Sequence, residues 1–390
     1  MTTNSESLFV QIFGASVDFG IGSLSRLPIH ISKLNISCLL IVTDKGIVKA
    51  GILDKVLSLL NDSGTKHSVF DDVQPNPTDA NVMEGLKAYI GNACDGIIGL
   101  GGGSSLDAAK AIGVLATNSG HISQYYSPAE IQNKISPIIA IPTTSGTGSE
   151  VSSGSLITDT SQNRKRVIRS GPASIALVDP ELTINMPPYL TAATGIDALS
   201  HCIEGYVGKR YNPFASAIAI EGIKIASANL RRAVKDGSDI EARKNMSMAS
   251  TMGALAFTKG LGVIHSLSHQ LSTDSDIPHG VANAIMLPYG MQFNIEQATH
   301  EYSEIAIAMG VDTHGMSPEE AAKIAIEAVR QLTKDIGLPD NLRDAGAKEE
   351  SLVSMSKKAM EDHCHILNPR SCTEEDMLAL YKAAYSSFQS

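Results

Sequence analysis

The sequence predicts an α/β half followed by an all-helical half. Three observations carry that expectation. Short apolar runs of β character alternate with helical patterns over the first part of the chain, as in βαβ units with a parallel sheet. Polar, glycine-rich loops directly follow two of those runs, at GGGSS and TTSGTGSE. Beyond Pro187 and Pro188 the character changes, and nearly every segment has Ala-rich, Leu/Ile/Met helical spacing.

The elements follow in order. CLLIVT (38–43) reads as a strand ending at Asp44. Ile47, Val48, Ile52, Val56, Leu59 and Leu60 then share one helical side. Val69 and Phe70 mark a short strand before the loop QPNPT, and residues 82–93 read as helix. GIIGL (96–100) is a buried strand that runs into GGGSS and the helix LDAAKAIGVL. ISPIIAIP (135–142) is a further strand before TTSGTGSE. The boundary is placed near residues 187–190, giving a nucleotide-type domain over 1–188 and a helical domain over 189–390.

Composition narrows the function classes. The chain has 390 residues, 43% of them hydrophobic and 18% charged, enough for a sizeable core and two to three domains. The net charge of −10 argues against sequence-independent nucleic-acid binding, which needs a basic face. Five cysteines without CxxC spacing fit a reduced compartment. The N-terminus MTTNSESLFVQIFGAS has no signal-peptide pattern, and no apolar run reaches the length of a membrane span. A cytoplasmic protein with no membrane partner is expected.

Each glycine loop has a chemical reading. Gly101, Gly102 and Gly103 sit between strand and helix, with Ser104 read as N-cap and Asp107 as its capping-box partner. Backbone N–H groups at a helix start bind phosphates, and glycine permits close approach. One such loop alone is equally a tight turn; two at consecutive strand ends favour a nucleotide. Asp44 ends the first strand of this pattern. A carboxylate there accepts a ribose hydroxyl and repels a 2′-phosphate, which points to NAD over NADP.

The helical half holds the metal candidates. In 261–283, LGVIHSLSHQLSTDSDIPHGVAN, His265 and His269 are four apart, and His279 follows Pro278. Asp197 and His201 form a second i,i+4 pair in TGIDALSHCIEGY. One carboxylate with two or three imidazoles suits Fe(II) or Zn(II) and leaves positions for substrate. Cys202 points to another helix face and is read as core. His363, Cys364 and His365 form a second dense cluster, read as structural.

Taken together these segments resemble the iron-containing (group III) alcohol dehydrogenase family over nearly the whole chain. The motifs are PNPT (75–78), GGGSSLDAAK (101–110), IPTTSGTGSEV (141–151), TGIDALSHCIE (194–204), GLGVIHSLSHQL (260–271) and PHGVANAIMLP (278–288). The resemblance implies a Rossmann-like N-terminal domain, a helical C-terminal domain and an active site in the cleft between them. It implies Asp197, His201, His265 and His279 as metal ligands, with His269 a proton relay. Its cofactor contacts would be Asp44, Asn76, Gly102, Gly103, Ser104, Thr143, Thr144, Thr147, Ser149 and Lys165. The activity implied is NAD(H)-linked interconversion of a small alcohol and its aldehyde, with iron favoured over zinc, in a homodimer or larger homo-oligomer.

Three departures bear on substrate. Lys259 stands where the family has a neutral residue, Gly154 where a larger one is usual, and Ser272 in place of glycine. A lysine beside the substrate would pair with an anionic tail, as in sulfoacetaldehyde, phosphonoacetaldehyde or succinic semialdehyde; otherwise it is a surface lysine. Neutral short-chain aldehydes of the 1,3-propanediol type are the alternative. More distant readings are a lyase of dehydroquinate-synthase type and a non-catalytic metal- and nucleotide-binding protein.

Overall fold

Strand residues that alternate between two buried faces are what a helix-covered parallel sheet requires, and the computed structural model shows that alternation. It describes residues 14–386 except residue 163. Most of the segment read as lacking a signal peptide lies outside the described residues. Among them, no helix is long and apolar enough to cross a membrane.

The α/β part runs β1 (Ser16–Phe19), α1 (Leu27–Lys33), β2 (Cys38–Val42), α2 (Lys45–Lys49), α3 (Ile52–Asp62), β3 (Lys66–Phe70), α4 (Asp79–Gly91), β4 (Gly96–Gly101), α5 (Gly103–Leu115) and β5 (Ile138–Pro142). It continues through β6 (Ser155–Asp159), β7 (Arg164–Ile168) and β8 (Ile175–Val178). Among the described residues nine α-helices follow: α6 (Pro188–Val207), α7 (Pro213–Lys235), α8 (Ile240–Ala256), α9 (Val263–Asp274), α10 (His279–Asn294), α11 (Thr299–Ala308), α12 (Pro318–Asp335), α13 (Leu352–Glu361) and α14 (Glu374–Tyr385). The expected change of character after Pro188 is therefore present.

The sheet order is β1-β8-β5-β4-β2-β3, and each neighbouring pair is parallel. Leu40, Val42, Ile97, Ile138 and Ala140 face one apolar cluster with residues of α4 and α5. Leu39, Ile41, Ile98, Leu100, Ile139 and Ile141 face the other with residues of α1 and α3. Successive residues thus enter opposite faces, which makes the sheet doubly covered. The sequence pattern did not yield β1 and β8, whose four residues are too few to show a period. It also missed β6 and β7, an antiparallel hairpin outside the main sheet.

From β2 the chain passes to β3 on one side and then to β4 on the other. Asp44 and the glycine loop lie at the carboxyl ends of these two adjacent strands, the position at which open α/β sheets bind ligands. β5, which carries the second loop, pairs with β4.

The chain divides into two compact units. One holds Gly14–Ala198 and Asn229–Ala254; the other holds Leu199–Ala228 and the described residues from Leu255 on. The division falls inside the continuous helices α6, α7 and α8.

Candidate nucleotide cradle and metal centre

In the α/β unit, the first glycine loop opens α5 without a side-chain cap. Gly102, with extended backbone, is the N-cap, and Gly103 is already helical. This corrects the reading of Ser104 as cap: it lies in the first helical turn. Asp107 is engaged elsewhere, accepting from Ser149 Oγ and from Leu156 N at 2.9 Å. The N–H groups at the start of this thirteen-residue helix are thus left to a ligand. Gly103 is needed for space, since a Cβ there would meet Thr147 Cγ2 at 2.7 Å.

Lys110, one turn beyond Asp107, fastens α5 to the second loop and the residues just after it. It is 1% exposed, and its ammonium donates to Ser149 O at 2.9 Å, Ser152 Oγ at 3.1 Å and Gly154 O. Burial pulls its pKa down, opposed by the Asp107 carboxylate. Gly154, read as lining a substrate pocket, is one of the carbonyls this clamp uses. In the second loop Gly148 has φ +60, and a Cβ there would meet Ala254 Cβ at 2.2 Å. Thr143, at the end of β5, has a buried hydroxyl with no partner among the described residues. An uncapped helix start and an orphaned hydroxyl at adjacent strand ends fit a bound pyrophosphate.

Asp44 caps α2, with Oδ1 accepting from Gly46 N at 2.8 Å and Ile47 N at 3.1 Å. Its Oδ2 accepts from Ser105 Oγ at 3.1 Å, which ties the ends of β2 and β4. Thr144 and Thr147 are half-buried, and Ser149 is buried. Asn76 adopts φ 55, beside the hairpin residue Thr158, which pairs with Lys165.

In the helical unit, four imidazoles meet. His265 and His269 lie one turn apart on α9, His279 opens α10, and His201 comes from α6. Ring centroids are 4.6 Å apart for His201 and His265, 5.3 Å for His265 and His279, and 5.3 Å for His269 and His279. His265 and His279 each offer a ligand nitrogen within 4.8 Å of the other. The Asn283 amide lies 3.3 Å and 3.2 Å from their Nε2 atoms. Asp197, buried, sits one turn before His201 on α6.

Glu204, three residues after His201, is a site residue that the sequence reading did not assign, as is Asp362. It is 2% exposed and accepts from Ile264 N at 2.9 Å and from His265 Nδ1. That bond puts the His265 proton on Nδ1 and makes Nε2, which faces the Asn283 amide at 3.3 Å, the nitrogen able to ligate. The signal was a carboxylate on the Asp197–His201 face of an otherwise apolar helix. The α9 start is held from another side by Asn368, whose Oδ1 accepts from Val263 N at 3.1 Å.

His269 is oriented in the same manner. Its Nδ1 donates to Asp362 Oδ2 at 2.8 Å, while Asp362 Oδ1 accepts from Cys364 N at 2.8 Å and Ser266 Oγ at 3.1 Å. Burial works to raise the Asp362 carboxyl, but His269, by charge and hydrogen bond, and the Cys364 N–H hold it well below the carboxylate range. The 363–365 cluster does not converge: His363 is exposed, and Cys364 is buried beside His269 and Asp362. Cys202 is fully buried, and burial pushes its thiol up to about 12.

Lys259 is neither a surface lysine nor a free cation. It is 9% exposed, and its ammonium donates to Tyr206 O at 2.5 Å and Ser216 Oγ at 3.1 Å. Burial pulls its pKa down. These are the contacts of a strut between the ends of α6, α7 and α8.

Comparison with known proteins gives a consistent result. Residues 15–180 match the family "Iron-containing alcohol dehydrogenase", and residues 191–385 match "Fe-containing alcohol dehydrogenase family, C-terminal". The chain is 40% identical over 372 residues to the 1,3-propanediol dehydrogenase of Klebsiella pneumoniae, covering 94% of this chain and 96% of that one. Among solved structures, a 1,3-propanediol oxidoreductase superposes with a TM-score of 0.95 at 39% identity, covering 97% and 100% of the two chains. The sulfoacetaldehyde reductase of Bifidobacterium kashiwanohense, in complex with NAD+, superposes with a TM-score of 0.88 at 29% identity, covering 98% and 100%.

Proposed function

This chain belongs to the iron-containing alcohol dehydrogenase family, and on that premise we propose that it interconverts a neutral short-chain primary alcohol and its aldehyde, with iron held by Asp197, His201, His265 and His279. Family membership makes it an oxidoreductase that acts on alcohols with NAD and a metal. The lyase and non-catalytic alternatives fall with that result.

The observation that carries the metal reading is His265, whose Nδ1 is tied to the buried Glu204 inside a cluster of four imidazoles. A carboxylate behind a histidine is how proteins fix a ligating imidazole. The set contains no thiolate, so a hard or borderline divalent ion fits, and the family tilts the choice to iron. When bound, the metal supplies Lewis acidity toward the substrate oxygen, and NAD carries the hydride.

The chain's own residues do the rest. Glu204 and Asn368 keep α9 in place, so that the His265 ring keeps its angle. Asp362 holds the His269 proton on Nδ1, leaving Nε2 to accept the alcohol proton and pass it to water. The α5 N-terminus, Gly102, Gly103, Ser104, Thr143, Thr144, Thr147 and Ser149 hold the pyrophosphate. Asp44, Asn76 and Lys165 contact the rest of the dinucleotide.

Asp44 is expected to set the cofactor preference. Asp44→Gly should shift the NAD-to-NADP ratio of kcat/KM toward NADP by about tenfold or more, since about 1.4 kcal/mol of repulsion is removed. An unchanged ratio removes Asp44 from that role.

The neutral substrate is supported by Lys259, whose ammonium already donates to a carbonyl and a hydroxyl. It is also the substrate type named by the 40% identical relative. Lys259→Met should destabilise the protein by about 1–3 kcal/mol, because the Tyr206 carbonyl loses its donor. It should leave the ratio of kcat/KM for an acidic and a neutral aldehyde of equal length unchanged. A rise in KM confined to the acidic aldehyde would restore Lys259 as an anion-binding residue.

A further inference from the structure

Two cysteines that the mechanism does not use lie together at the amino ends of the sheet strands. Cys38 opens β2, and Cys94 lies two residues before β4. Their sulfurs are 3.8 Å apart. Cys94 is 8% exposed, whereas Cys38 is half-buried and reachable.

Both backbones are held from several sides. The Asp95 carboxylate accepts from Ser37 N at 2.9 Å and Cys38 N at 2.8 Å, and Asp95 N donates to Cys38 O at 2.9 Å. Cys94 N donates to Tyr89 O at 3.0 Å. With both backbones fixed, the sulfurs have to close from 3.8 Å to a bonded separation of about 2.05 Å.

We propose that Cys38 and Cys94 are a reversible disulfide site, closed by exchange with a low-molecular-weight disulfide and acting as a staple across β2 and the turn before β4. Cys38 sulfur, as thiolate, attacks one sulfur of the small disulfide and expels the first small thiol. Cys94 sulfur then attacks Cys38 sulfur and expels the second. The two protein thiols lose two protons and two electrons, and the small disulfide is reduced to two thiols. The order follows access: burial, then the hydrogen bond with Cys38, pushes the Cys94 thiol up to about 12. Cys94 is thus the resolving partner.

The link closes a loop of more than fifty residues, which restricts the unfolded chain strongly. It lies at the strand ends opposite the glycine loops, about 16–20 Å away along a strand of five or six residues. Stabilisation without loss of turnover is the expected consequence.

The test incubates the metal-loaded protein with oxidised glutathione, then uses thiol counting, non-reducing peptide mapping, thermal melting and NADH turnover. The expected result is a fall from five free thiols to three, one peptide pair joining Cys38 to Cys94, a higher Tm and turnover within twofold of the reduced protein. Cys38→Ser should keep four thiols and form no internal link. Five unreacted thiols, a lasting glutathione adduct on Cys38, or a link through another cysteine overturns the site. A Cys38–Cys94 link that lowers Tm, or that abolishes turnover, overturns the staple.

Discussion

His279→Ala is expected to leave a folded protein that does not keep its metal through gel filtration and has lost about a thousandfold in kcat/KM. His279 opens α10 behind Pro278, with its ring 5.3 Å from both His265 and His269. Removing one donor from a set of four leaves a three-ligand site with a hole on one side, and the Lewis acidity lost amounts to several kcal/mol, about three factors of ten. Glu204→Gln gives the graded comparison. It keeps the shape at the base of the cluster but removes the charge behind His265 Nδ1. Metal affinity should fall by about 10- to 100-fold, with turnover recovered at higher metal concentration. Metal analysis after gel filtration and circular dichroism check both variants. If His279→Ala retained a full equivalent of metal, His279 would not be a ligand.

Lys110→Met should have the largest effect on stability. A buried ammonium leaves behind the Ser149 and Gly154 carbonyls and the Asp107 carboxylate, with no water to replace it. Breaking such a contact costs about 3 kcal/mol or more, which corresponds to a fall in Tm of about 6–12 °C for a unit of this size. This one side chain ties α5, which the first glycine loop opens, to Ser149 of the second loop, so NADH should also bind more weakly, by about tenfold. Differential scanning calorimetry and NADH fluorescence titration measure the two effects. A stable variant with unchanged NADH affinity would show that the loops hold their shape without the clamp.

The parts of this molecule that were legible in its sequence are those written at short range. Asp197 and His201, and His265 and His269, announce themselves by i,i+4 spacing on helices that are indeed continuous. The glycine loops stand directly after apolar strands, so their position at strand ends follows from local pattern, whereas the pairing of β4 with β5 that brings them side by side does not. What was not legible is satisfied over long separations. Glu204 meets His265 sixty-one residues away, and Asp362 meets His269 ninety-three residues away. A lone acid in a sequence does not say which imidazole it will hold. Lys259 shows the same limit from the other side. Its departure from the family pattern suggested a charge for the substrate, whereas its ammonium is taken by Tyr206 fifty-three residues upstream. Ser104 was misread as a cap because serine outranks glycine statistically at N-caps, while Gly102 is the residue in that place here.

The most direct test of the central claim is reconstitution. The protein is stripped with a chelator until metal analysis finds none, then loaded anaerobically with Fe(II) or Zn(II), and NADH formation from 1,3-propanediol is followed. Turnover should vanish on stripping and return with one equivalent of Fe(II) per chain, and the His279→Ala protein should not recover under the same loading. Full turnover by the metal-free protein, or equal recovery by His279→Ala, would contradict a metal held by Asp197, His201, His265 and His279.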